Sequence, residues 1–274
     1  MFFFFLFKGP LTKLSQILVV LRHAERIDRC PGHNSYVGIP NNPTLSPKGH
    51  DQALAVGALL AVSFPNATWT VCVSPFLRTI QTAGHIMRRN QHTGTLHVDY
   101  GLCEHLEVSK FPESLTRERL QGPPIHHALG LTEEECNINF LHTELPQYHE
   151  PIVVAYERFN GAMARLSRQQ FPRASHVLFV THGYAHVAVI RNVLGHDTPV
   201  RKVALCSFIV LQRSSETDGG GNKGFTLRGH PGVELGIESS DHETVYEKYI
   251  EEDRWGGSLL SFHASGKESI ENSS

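Results

Sequence analysis

The chain has 274 residues, with 25 Lys and Arg against 27 Asp and Glu, for a formal net charge of -2. Hydrophobic residues make up 40% and charged residues 19%, which excludes disorder throughout and leaves core enough for one large domain or two small ones. The near-neutral balance argues against a nucleic-acid binder that works by phosphate neutralisation, and no apolar run is long enough to span a bilayer.

In chain order, residues 1–15 carry the run Met1-Phe2-Phe3-Phe4-Phe5-Leu6-Phe7. It is shorter than a signal-peptide core and lacks a charged start or a small-residue cleavage site, so it reads as an apolar N-terminal extension. Residues 16–21 form a continuous β-branched-rich run, the pattern of a strand buried on both faces. Ser46 then sits as N-cap and Pro47 in the first turn of a helix with apolar residues at helical spacing. A second strand at 68–73 leads into a helix over 76–88, and 95–99 is a short third strand.

From 101 to 151 the pattern breaks down around Pro112, Pro123, Pro124 and Pro146, and the segment reads as an excursion over the active face, with a helix at 132–140. Helical spacing returns over 152–171, a buried strand covers 176–181, a helix 184–194 and another strand 203–211. Residues 214–224 read as a flexible connector, 242–253 as an acidic helix and 261–274 as a flexible tail. Strands alternating with helices predict an α/β fold: a three-layer α/β/α sandwich, its central sheet mostly parallel, forming one domain over 16–260.

Cysteine is sparse and odd in number (Cys30, Cys72, Cys103, Cys136, Cys206), with no C-x-x-C pair, which predicts free thiols in a cytoplasmic protein. The 18 histidines read mainly as surface residues. His182 and His186 have zinc-ligand spacing, but the residues between them include no Glu base, and no metal or other cofactor is expected. Gly219-Gly220-Gly221 lacks the flanking strand and helix of a phosphate loop, and no G-x-S-x-G motif supports a serine hydrolase.

In parallel sheets the reactive residues lie at the carboxyl ends of strands. Here those ends run into Arg22-His23-Ala24-Glu25-Arg26, Ser74-Pro75 with Arg78, Glu104, and Thr181-His182-Gly183. Three arginines and two histidines converging with a single acid, and no compensating acidic cluster, suit a phosphoryl dianion held by guanidinium forks. Neighbouring positive charge keeps an imidazole neutral, and a neutral imidazole is a competent nucleophile toward phosphorus. The arginines stabilise charge that a metal ion stabilises elsewhere.

Leu21-Arg22-His23-Ala24-Glu25-Arg26 resembles the R-H-G-E-R signature of the histidine phosphatase (phosphoglycerate mutase-like) superfamily. The resemblance continues in order through 45–53, Ser74-Pro75 with Arg78 and Gln81-Thr82-Ala83, and Thr181-His182-Gly183, spanning about 16–211. R-H-x-E-R-x-D, S-P-x-x-R-x-x-Q-T-A and G-L-x-E are most similar to the phosphatase domain of the ubiquitin-associated and SH3 domain-containing proteins, a pattern shared by insect steroid-phosphate phosphatases. The chain lacks room for the ubiquitin-binding and SH3 modules, so it corresponds to the catalytic domain alone.

The resemblance implies a metal-independent phosphomonoesterase in which His23 becomes phosphohistidine. Arg22, Arg26, Arg78 and His182 would hold the phosphoryl oxygens, and Glu104 would act as general acid and then base. It also implies a phosphorylated small molecule or phosphoprotein as substrate, phosphotyrosine or another hydrophobic phosphate among them, and a homodimer. Arginines favour the carboxylate form of Glu104, and the substrate dianion would offset them, giving a mildly acid optimum on alkyl phosphates. Ala24 departs from the usual glycine, and His105 from the aromatic of those relatives. Two alternatives stand beside this reading: a phosphoglycerate mutase-type transferase, and a catalytically weak or inactive protein that binds phosphorylated ligands.

Overall fold

A computed structural model describes residues 16–30, 41–90, 94–107, 111, 116, 120, 125–172, 174–213 and 225–235. The expected N-terminal extension, connector, acidic helix and tail lie outside these residues. Seven strands, β1 (Ile17–Arg22), β2 (Trp69–Val73), β3 (Gly94–Asp99), β4 (Cys136–His142), β5 (His176–Thr181), β7 (Phe208–Arg213) and β8 (Phe225–Gly229), form one sheet in the order β4-β3-β2-β5-β1-β7-β8. Neighbours from β4 to β1 pair in parallel, whereas β7 and β8 add antiparallel. β6 (Val200–Val203) and β9 (Val233–Leu235) make a separate antiparallel pair.

The residues of β1 show why the sheet is covered on both faces. Ile17, Val19 and Leu21 join the core that includes Val56 and Leu60 of α1 (Pro47–Ser63) and Ile80 and Ile86 of α2 (Leu77–Arg89). Leu18 and Val20 join the opposite core, with Ala162 and Met163 of α4 (Ile152–Ala164) and Val187 and Ile190 of α5 (Gly183–Leu194). Alternate side chains of one strand thus bury against different helix layers, which is why the sequence reads as continuously apolar. Ser46 caps α1 as expected, its Oγ accepting from the Gly49 amide at 2.9 Å.

Two expectations fail. Residues 132–140 are not a helix: Thr132 and Glu135 do exchange the hydrogen bonds of a capping box, but the helix stops after that turn. From Cys136 the chain pairs with β3, and long-range strand pairing overrides the local start signal. The excursion does contain a short helix, α3 (Ile125–Leu129). Residues 203–211 are not one strand either. Cys206 takes φ of 55°, breaking the apolar run into β6 and β7. The turn between them folds onto β1, where the Arg22 amide donates to the Ser207 carbonyl at 3.0 Å.

Candidate active site

β5 lies between β1 and β2, so strands distant in sequence deliver their carboxyl ends side by side. The His23 amide donates to the Thr181 carbonyl and the Ser74 amide to the Val180 carbonyl, at 3.0 and 3.1 Å. These bonds prolong the ladder one residue past each strand end and place His23 against His182, ring centroids 5.3 Å apart, edge to face.

His23 is buried, and its Nδ1 lies 2.7 Å from the Ala24 carbonyl. A carbonyl only accepts, so Nδ1 carries the proton, and the neutral ring keeps its lone pair on Nε2. Burial, and then the charges of Arg78, His182 and Arg22, hold its pKa well below 6.5. Ala24 is fully buried in the core and is absent from the positive-φ positions. Its methyl fills space without backbone strain, so alanine serves where relatives carry glycine.

Arg78 is 0% exposed at the first turn of α2, where the β2–α2 connection turns inward. Its Nη2 is 3.4 Å from His182 Nδ1 and 3.8 Å from a Glu104 carboxylate oxygen, and the guanidinium lies 4.2 Å over the Phe76 ring. Its Nε and Nη1 are buried with no hydrogen-bond partner among the described residues. Burial, then Arg26, pushes its pKa down to about 9, which leaves it charged at neutral pH. Two buried nitrogens of one cation whose N–H groups lack acceptors are costly, and a bound anion would satisfy them.

His182, at the N-cap of α5, is held by Ser74 Oγ at 2.8 Å from Nε2, with Glu104 Oε2 3.3 Å from Nδ1. Burial lowers its pKa to about 4. Arg22 donates to the Val203 carbonyl, and its charge reaches His23. Arg26 makes a two-pronged pair with Asp28 (Nε to Oδ1 2.9 Å). One of the three forks is therefore already partly neutralised by Asp28. His23, Arg78, Glu104 and His182 lie within contact of one another here, while Arg22 and Arg26 reach them through their charges on His23 and Arg78.

Ser74, which the S-P-x-x-R-x-x-Q-T-A motif marks without a task, orients His182. Asp28 was equally visible, two residues past Arg26. Thr82, in the same motif as Ser74, accepts from the Ala24 amide at 3.2 Å, a pairing across 58 residues that spacing does not signal.

His23, Glu104 and His182 present ligand atoms within 4.8 Å of one another, a donor set that by itself could hold a metal ion. His186 is not among them; it is buried, with its two ring nitrogens facing the His182 and Ser207 carbonyls at 3.3 and 3.1 Å. The buried Arg78 charge, within 4 Å of both His182 and Glu104, opposes a cation at this point and favours an anion.

The fold has solved relatives. A mycobacterial hydrolase ("Mycobacterial hydrolase 2") matches at 18% identity, covering 86% of this chain and 98% of its own, with a TM-score of 0.51. The ecdysone phosphate phosphatase from Bombix mori, solved with tungstate, matches at 18% identity over 82% of this chain and 96% of its own, with a TM-score of 0.56. A phosphoglycerate mutase from Bacillus anthracis matches at 16% identity over 78% and 92%, with a TM-score of 0.51. At these identities the likeness is one of fold. A search of curated protein sequences finds no match. The sequence profile of the histidine phosphatase superfamily (branch 1) matches residues 18–218, from the second residue of β1 through β7, and takes in Arg22, His23, Arg26, Arg78, Glu104 and His182. The chain belongs to the histidine phosphatase superfamily.

Proposed function

We propose that the protein is a metal-independent phosphomonoester hydrolase that works through phosphohistidine at His23. The observation that carries this reading is the fully buried Arg78, two of whose nitrogens find no acceptor among the described residues, beside an imidazole whose proton is committed to Nδ1. Arg22, Arg26, Arg78 and His182 hold the phosphoryl oxygens and stabilise the charge that spreads over them during transfer. His23 Nε2 forms the bond to phosphorus as the ester P–O bond breaks, and the leaving oxygen takes the proton of the Glu104 carboxyl group. Water then attacks phosphorus while Glu104 takes back a proton; the N–P bond breaks, releasing phosphate and neutral His23.

The R-H-x-E-R-x-D and S-P-x-x-R-x-x-Q-T-A motifs support placing the chain with the ubiquitin-associated and SH3 domain-containing type, with phosphotyrosine or another hydrophobic phosphate as substrate. All five cysteines are free thiols, which supports a reducing, cytoplasmic setting. Among the described residues no helix is long and apolar enough to cross a membrane.

The test is hydrolysis of p-nitrophenyl phosphate by purified protein in the presence of EDTA. Wild-type turnover that falls on the order of 10⁴-fold in His23→Ala supports the reading. Turnover that survives the substitution, or that EDTA abolishes, contradicts it. Phosphopeptide binding without turnover would favour the binding-protein alternative.

A further inference from the structure

Unlike His23 and His182, Glu104 is not held by the strand ladder. It lies beyond the short turn Tyr100–Leu102 that follows β3. What fixes its backbone comes from α4. Arg158 has five N–H groups, and each finds an acceptor. Nη1 donates to the Gly101 and Cys103 carbonyls, both at 2.9 Å, and Nη2 to the Glu104 carbonyl at 3.3 Å. Nε donates to Glu150 Oε2 at 3.0 Å, and Nη2 also pairs with Glu150 Oε1.

Glu150 completes the clamp. Its side chain is 1% exposed, and its backbone carbonyl faces His105 Nε2 at 2.9 Å. Next to it, the His149 amide donates to the Leu106 carbonyl at 3.2 Å. One ion pair thus grips the chain before, at and after the acid. A planar guanidinium can present five donors in fixed directions, whereas a lysine ammonium, with three donors at one point, cannot span these acceptors. The Arg158 charge is also felt at His182, so the clamp borders the reacting groups without touching them.

Resting on the function proposed above, we infer that Arg158 and Glu150 are positioning residues: their pair sets the place of the Glu104 carboxyl group at the leaving oxygen. A displacement of the order of 1 Å is enough to cost an acid most of its effect. The clamp therefore matters where the leaving group needs a proton and little where it does not.

The experiment measures kcat and KM for Arg158→Lys and Glu150→Gln in the full chain, on p-nitrophenyl phosphate and on n-hexyl phosphate. The expected result is a kcat loss of about tenfold or more on the alkyl ester, with less than about threefold on p-nitrophenyl phosphate and little change in KM. Adding Arg158→Lys to Glu104→Gln should slow alkyl ester hydrolysis no further, because the acid it positions is already gone. Equal losses on the two esters, or losses that multiply in the double variant, would show a merely structural staple and overturn the inference. Glu150→Gln, which keeps the guanidinium, decides the same comparison if Arg158→Lys does not fold. If the wild type has no His23-dependent turnover at all, the function reading falls and takes this inference with it. If that turnover is intact and only the leaving-group split is missing, the positioning claim alone fails.

Discussion

The proposed nucleophile and the proposed acid of this site are held by different physics. His23 and His182 follow adjacent parallel strands, and main-chain bonds carry the ladder up to and past them. Their positions are thus built into the sheet, whose side chains are buried on both faces. Glu104 sits on a loop whose backbone at the acid is held by the Arg158 guanidinium and the Glu150 carboxylate it pairs with, beside a bond from Thr181 Oγ1 to the Leu102 carbonyl. Backbone pairing survives most side-chain changes, while a clamp made of two side chains fails when either is changed. The difference teaches that the proposed chemistry of this site separates into a robust half, which would accept the phosphoryl group, and a fragile half, which would discharge the leaving group.

Substitutions can break that comparison at either end. The largest effect after loss of His23 itself is expected at Arg78. Arg78→Lys keeps a charge but loses the fork whose Nε and Nη1 await an acceptor. It should cost about 10²- to 10³-fold in kcat/KM on every phosphate ester, whatever the leaving group. Steady-state kinetics on activated and alkyl esters check this, and a loss confined to alkyl esters would move Arg78 into the fragile half. Glu104→Gln should do the opposite, lowering kcat about 10²-fold or more on n-hexyl phosphate and far less on p-nitrophenyl phosphate. Equal losses on both would remove Glu104 from the acid role.

A third prediction concerns stability rather than rate. Burial, above all, lowers His182 and His186 from 6.5 to about 4. An unfolded chain binds protons at these residues near pH 6.5, whereas the folded one refuses them until about pH 4. Their contribution is therefore fully present above pH 6.5 and is lost as pH falls toward 4, at up to about 1.4 kcal/mol per pH unit for each histidine. Urea melts at pH 7, 6 and 5 should show decreasing stability, and His186→Gln should flatten the decline. A flat or rising profile would count against buried neutral histidines beneath the sheet edge.

The smallest effect is expected at Ala24. Its methyl is wholly buried, so Ala24→Gly should lose about 1 kcal/mol of stability and leave kcat nearly unchanged. A large gain in rate would mean that the alanine restrains the enzyme.

These two halves also differ in how far the sequence revealed them. The runs of β1, β2 and β5 are continuously apolar because both faces are covered, so the strands and the residues just past them could be read directly. His23, His182 and Arg78 lie within a few residues of those ends, and chain order alone gave their convergence. The loop of Glu104 gave no such periodicity. β4 was misread because a real capping turn at Thr132 precedes it and, as an edge strand, it buries only Cys136 fully. The break at Cys206 depends on contacts with β1 that no local pattern contains. Arg158 meets Glu104 across 54 residues, and Asp99 likewise meets Arg165 across 66, separations at which spacing carries no signal.

The central claim is that the imidazole of His23 carries the phosphoryl group. The direct measurement is rapid quench of the wild-type protein during turnover of p-nitrophenyl phosphate, under alkaline conditions that preserve N–P bonds, followed by peptide mapping by mass spectrometry. The account predicts a phosphorylated peptide with the label on His23, stable to base, lost in acid and missing from His23→Ala. Turnover that proceeds with no label on that residue, or with the label on another side chain, would contradict it.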